Sequence, residues 1–171
     1  LPFADNSFDA ISCRFGYMFF PDLLLATQEM ARVLKPGGRI AVSVWGPPEK
    51  NFWVTAVGGT INQNMQLDPP PPGAPGMFRC AEPEMIQGLF KAAGLKQTGE
   101  KEVNSRLNLE STEVYWNMMT EVAAPFVAAL SKAGAEMKTK IKGEVFQKIE
   151  EKMGIDTVSL NGNARVIYGV K

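Results

Sequence analysis

Apolar positions along the chain change their period several times, and each change predicts an element. After the turn residues "ADNS", the run Phe8 to Cys13 is apolar and β-compatible without strict alternation. That pattern predicts a parallel-sheet strand covered on both faces. From Pro21 and Asp22 the apolar positions fall at Leu23, Ala26, Thr27, Met30 and Leu34, with Gln28, Glu29 and Arg32 on the other side. The period is helical, and Asp22 is placed to cap the start. "KPGG", Lys35 to Gly38, predicts a stop, because proline breaks the hydrogen-bond ladder and glycine accepts left-handed backbone. "RIAVSVW", Arg39 to Trp45, then predicts a second buried strand, so the first 45 residues read as a right-handed βαβ unit.

Beyond Gly46 the pattern is weaker. A helix from about Asn51 is expected to be interrupted at Gly58 and Gly59, and "LDPPPPGAPGMF" reads as an irregular loop or lid. "EPEMIQGLFKAAGLK" predicts a helix with Pro83 near its first turn, an apolar face of Met85, Ile86, Leu89 and Phe90, and Gly94 at its end. A strand over "KQTGEKEVNSRLNL" follows. Helices are expected over 110–130, bent at Pro125, and over 135–153. "TVSLNGNARVIYGVK" reads as a hairpin about "NGN" or as one strand preceded by a turn.

Composition narrows the function classes. Eighteen basic residues balance eighteen acidic ones, so no net field favours nucleic acid or an anionic membrane. No apolar run reaches the length of a membrane span and no signal-peptide pattern occurs, which predicts a soluble, cytoplasmic protein. Two cysteines and no histidine give neither a disulfide framework nor a metal site, so no metal is expected. The chain starts at Leu1 in what reads as the loop entering a central strand, which suggests that something upstream is missing.

The block "LPFADNSFDAISCRFGYMFFPDLLLATQEMARVLKPGGRIAVSVW" resembles the central part of class I S-adenosylmethionine-dependent methyltransferases, and within them the quinone-biosynthesis C-methyltransferases. The "LPF..NSFD" loop, the helix ending "VLKPGG" and the strand after it carry the likeness. The resemblance implies an α/β, Rossmann-like methyltransferase fold, of which this chain would be the C-terminal half, about strands four to seven, with added helices. The family's glycine-rich cofactor turn and its acidic ribose partner would lie upstream of this block. The chain is expected to form a single domain over 1–171, with 46–79 and 110–154 as substrate-side or lid insertions.

By the same resemblance the cofactor is S-adenosyl-L-methionine, and the other ligand is a small, partly hydrophobic methyl acceptor. Arg14, Phe15 and Gly16 would line the cofactor at the carboxyl end of their strand, where open α/β sheets bind ligands. Tyr17, Phe20, Trp45 and Trp53 are the candidate acceptor-pocket residues. Each has a plainer alternative: Arg14 as a carboxylate's partner, Gly16 as a tight turn, and the aromatic rings as core. Cys13 is read as packing, the stripe Met137, Ile141, Val145, Phe146, Ile149 and Met153 as core, and Glu144, Glu150 and Glu151 as solvated. No carboxylate pair converges in the sequence, so the catalytic base is unknown. The alternative function is a non-catalytic half-fold whose exposed strand edge pairs with another chain, in a homodimer or with a swapped partner.

Overall fold

The structure, a computed structural model, describes residues 1–153 and 158–171. A four-stranded sheet of order β1-β2-β4-β3 is formed by β1 (Phe8–Arg14), β2 (Leu34–Trp45), β3 (Lys96–Leu109) and β4 (Val158–Val170). The helices are α1 (Leu23–Val33), α2 (Phe52–Met65), α3 (Met85–Ala92), α4 (Thr112–Val122), α5 (Ala124–Ser131) and α6 (Ala135–Met153). Residues 1–47, 71–104 and 163–171 form one compact unit, and 48–70 with 105–162 form a second.

In the first unit, β1 and β2 are parallel, with Ala10 beside Arg39 and Arg14 beside Ser43. β2 and β4 are antiparallel, from Arg39 beside Val170 to Trp45 beside Ala164. The expected strand, helix and parallel strand are therefore present. Asp22 caps α1, its Oδ1 accepting the Leu25 N–H at 2.9 Å. Arg32 ties the entry loop to this helix, donating to Phe3 O at 2.9 Å and to Asp5 Oδ1 at 2.6 Å.

The helix ends ahead of "KPGG" as expected, at Val33, but the strand begins at Leu34 rather than at Arg39. Lys35 to Gly38 form an out-of-register stretch of β2: Phe8 pairs with Leu34 and Ala10 with Arg39, two steps on one strand against five on the other. Gly37, at φ +78°, bends the chain there. The end of β4 closes the bulge, with the Gly37 N–H on Lys171 O at 2.9 Å and the Lys171 N–H on Gly38 O at 3.0 Å.

The core of this unit lies on one face of the sheet. Ile40, Val42, Val44 and Ile167 pack there against Leu23 and Met30 of α1 and Ile86 and Phe90 of α3. Ala10, Ser12 and Arg14, on the opposite face of β1, are exposed. A hollow of about 590 Å³ lies against Ser12, Arg39, Ala41 and Tyr168. The expectation that β1 is covered on both faces therefore fails among the described residues: its apolar pattern suits a central strand, but the helices of this unit cover only one side.

The second unit has its own core, in which Ile141, Val145 and Ile149 of α6 are completely enclosed against Val57 and Ile61 of α2 and Tyr115 and Met119 of α4. The stripe expected on α6 is thus core. α2 runs unbroken through Gly58 and Gly59, against expectation. Gly58 lies against the ring of Phe126, whose Cε1 would be 3.2 Å from a Cβ at that position. Pro125 separates α4 from α5 where the bend was expected. Glu144, expected to be solvated, is half-buried and accepts from Asn64 Nδ2 at 2.6 Å. Of the two readings of the last segment, the hairpin about "NGN" is overturned, since Val158–Val170 is one strand; Thr157, ahead of it, lies outside the described residues. No helix among the described residues is long and apolar enough to cross a membrane.

Two enclosed tyrosines set an alkaline limit. Burial raises the Tyr17 phenol to about 12 and pushes the Tyr115 phenol up as well. The fold favours the protonated phenol, so this stabilisation is complete below the unfolded pKa of about 10 and is lost as pH rises toward the folded values. Urea midpoints measured from pH 8 to 12 are expected to fall above about pH 10, and less steeply in Tyr115→Phe. An equal fall in that variant would remove Tyr115 as a cause.

Candidate active site at the carboxyl rim of the parallel strands

Because β1 and β2 run in parallel with Arg14 beside Ser43, both strands deliver their carboxyl ends to one rim. Arg14, Phe15 and Gly16 leave β1 there, and Trp45 and Gly46 leave β2. Phe15 is the contact between them: its ring stacks on Trp45, with centroids 4.2 Å apart and planes at 17°. The Phe15 N–H donates to Ser43 O at 3.0 Å and lies 3.3 Å from Ser43 Oγ. Its φ is +52°, left-handed backbone that costs a non-glycine residue about 1–2 kcal/mol.

Strain of this kind persists only where its surroundings over-determine it, and it is concentrated at functional sites. Phe15→Ala and Phe15→Gly remove the same ring, so their difference reports the backbone. The glycine variant is expected to be the more stable by about 1 kcal/mol, the reverse of the usual order in regular structure. Urea unfolding of the pair measures this, and an alanine variant as stable as the glycine one would mean that the backbone relaxes.

The remaining candidates separate. Arg14 is exposed. Gly16 leads into a 3₁₀ turn, Tyr17–Phe19, where a Cβ at Gly16 would lie 3.2 Å from Cys13 Sγ. That contact with a β1 side chain leaves little room for a larger residue at this position. Tyr17 is completely enclosed, and its hydroxyl shares a hydrogen bond with Thr27. Phe20 is half-buried, edge-on to Tyr17 at 5.9 Å. Trp53 belongs to the second unit, where its carbonyl accepts from Tyr115 OH at 2.6 Å and its indole donates to Asn51 Oδ1 at 3.2 Å.

Four residues at or near this rim carry no sequence signal that singles them out. Ser43 holds the Phe15 backbone. Arg79 hydrogen-bonds Phe20 O and, at 3.2 Å, Pro21 O, while the Gly76 N–H reaches Met18 O at 3.3 Å. The end of the proline loop is thereby laid on the turn that follows the rim. Asn163 donates to Glu102 Oε1 and Asn104 Oδ1, both at 2.7 Å, and Arg165 pairs with Glu100 at 2.6 Å. Desolvation raises the Cys80 thiol, which leaves it inert. Among the described residues no group of His, Cys, Asp and Glu side chains is placed to hold a metal.

This rim can serve as one wall of a ligand site. The Phe15–Trp45 stack offers an apolar surface and Arg14 a cation suited to a carboxylate. A positive-φ aromatic residue on an exposed strand end fits close approach of a bound group.

Residues 1–42 match a family described as a methyltransferase domain. The demethylmenaquinone methyltransferase of Corynebacterium glutamicum (strain R) is 46% identical over 61 residues, covering 36% of this chain and 24% of the relative. That of Thermus thermophilus is 33% identical over 105 residues, 55% of this chain and 47% of the relative. The chain thus spans under half the length of these curated relatives. Among solved structures, YcgJ of Bacillus subtilis aligns with a TM-score of 0.52 at 21% identity, over 100% of this chain and 67% of its own. A putative methyltransferase of Bacillus halodurans aligns at 0.53 with 17% identity and the same coverage. At such identities these two show the fold alone, and it is the Rossmann-like methyltransferase fold.

Proposed function

From a chain that carries class I methyltransferase sequence and the matching sheet, we propose that it forms one wall of the site of an S-adenosylmethionine-dependent methyltransferase acting on a small, partly hydrophobic acceptor. The observation that carries this reading is the shared rim, where Arg14, the strained Phe15 and Trp45 converge. When bound, the cofactor supplies an electrophilic methyl group on a sulfonium, so the protein's task is orientation and exclusion of water. Arg14 would hold the ligand's carboxylate, and the Phe15–Trp45 stack would pack against its body. Relatives named as demethylmenaquinone methyltransferases support a hydrophobic acceptor. A cytoplasmic site of action belongs to the same reading.

One wall binds weakly. S-adenosylhomocysteine added at millimolar concentration to the labelled chain is expected to shift the amides of Arg14, Phe15, Gly16 and Trp45, and Arg14→Ala should reduce those shifts. Shifts confined to residues away from this rim would sink the assignment, and micromolar affinity would overturn the one-wall reading.

A second reading rests on β1, which pairs with β2 alone among the described residues and so presents an open outer edge. Such an edge recruits another strand. In this reading the chain is a non-catalytic half-fold that pairs with a second copy or with a swapped partner. A monomer by light scattering would count against it.

A further inference from the structure

The second unit contains a groove that plays no part in methyl transfer as proposed. It is a cavity of about 430 Å³ between α4, α5 and α6, within the size range of small-molecule sites. Trp116, Val127 and Leu130 supply its apolar surface. α5, "APFVAALS", is apolar almost throughout, yet Leu130 is its only buried residue and Val127 is 41% exposed. An apolar helix left this bare calls for a cover.

The polar groups at the groove decide what kind of cover. Lys142 is already committed, its Nζ 2.7 Å from Glu113 Oε1. Lys138 also lines the groove, and among the described residues its ammonium meets no carboxylate, so the groove carries one uncompensated positive charge. Three hydroxyls line it as well. Each donates to a carbonyl of its own helix: Thr120 to Trp116 O at 2.9 Å, Ser131 to Ala128 O at 2.8 Å and Thr139 to Ala135 O at 3.0 Å. Lys138 is thus the groove's one cation without a carboxylate among the described residues. A phosphate, with its higher charge and three acceptor oxygens, is poorly served by a single ammonium, whereas a monoanion is matched by it.

We propose that this groove binds an amphipathic carboxylate, its aliphatic body against Trp116, Val127 and Leu130 and its carboxylate on Lys138. The inference is independent of the methyltransferase reading, because every residue it uses belongs to the second unit.

Decanoate, kept below its micelle concentration and followed by amide shifts of the labelled chain, tests it. Saturable shifts are expected at Thr120, Val127, Ser131 and Thr139. Lys138→Met should weaken binding about threefold to fivefold, the scale of an exposed ion pair. Val127→Asp places a like charge beside the ligand at an exposed position and should abolish saturation, while its otherwise unchanged spectrum shows that the fold is retained. Acetate, lacking the apolar body, should give no shifts. Equal binding of decyltrimethylammonium, tighter binding of decyl phosphate, or saturation that survives Val127→Asp would each overturn the proposal.

Discussion

Arg165→Met is expected to destabilise the protein by about 3 kcal/mol, because it leaves the Glu100 carboxylate buried without its cation. The pair is tight and largely out of water, with an N–O distance of 2.6 Å and side chains 11% and 17% exposed. Glu100 also accepts the Glu84 N–H at 3.2 Å, just before α3, so the stranded charge would sit where that helix begins. Arg165 lies opposite Val44, one residue before the rim tryptophan, and the pair therefore supports the rim from β3 and β4. The Nε of Arg165 has no acceptor among the described residues, which raises the cost of burying this cation. Removing both charges, in Arg165→Met with Glu100→Met, is accordingly expected to restore most of the loss. A double-mutant cycle by urea unfolding reads the result. The Lys142–Glu113 pair, with side chains 36% and 52% exposed, should contribute no more than about 1 kcal/mol. If Arg165→Met costs no more than that exposed pair contributes, Glu100 reaches water and the buried-pair account fails.

Gly46→Ala should be nearly as damaging, at about 2–3 kcal/mol, the upper part of the range for forcing an extra carbon into a packed site. A Cβ at Gly46 would fall 1.8 Å from Asn163 Oδ1 and 2.9 Å from its Cγ. Asn163 is 1% exposed and is held by hydrogen bonds to Glu102 and Asn104, so it cannot swing aside cheaply. Gly46→Ala with Asn163→Gly removes the clash along with those bonds, and is expected to be less destabilised than the sum of its parts. Gly99→Ala is the contrast. Its Cβ would also collide, 2.4 Å from Tyr168 OH, but Tyr168 is 39% exposed and its ring can turn into solvent. Melting temperatures that rank Gly99→Ala below Gly46→Ala would show that Asn163 yields more easily than Tyr168, and would overturn the confinement account.

Both effects fall close to Trp45, one just past the end of β2 and the other on the β4 residue opposite Val44, and each bears on function through the rim. Neither residue is assigned a ligand contact in the proposed site. Their variants should lower the cofactor-analogue shifts at Arg14 to Gly16 only in proportion to unfolding, which separates a supporting role from a contact.

The strand, helix and strand of the first 45 residues were legible because the signals agreed: an apolar run, an Asp22 cap and a helical period that ends before "KPGG". The helix over Ala135–Met153 and the break at Pro125 were legible for the same reason. Where expectation failed, a distant residue had decided. Gly58 and Gly59 look like helix breakers until Phe126 is seen against the first of them. "NGN" admits a hairpin or a continuous strand until Asn163 is seen to spend its amide on Glu102 and Asn104 within that strand. "KPGG" reads as a helix stop, and only the bonds to Lys171 show that it also belongs to the strand.

The site divides in the same way. Local pattern determined that Arg14, Phe15 and Gly16 stand at a strand end and that a parallel partner follows, since period and capping are properties of neighbours in the chain. Only the tertiary structure decided that Phe15 takes left-handed backbone against Ser43 and stacks on Trp45, that Tyr17 is enclosed, and that Arg165 and Asn163 stand behind the rim. Those outcomes depend on register between strands far apart in sequence, and a one-residue slip would turn each side chain to the other face of the sheet.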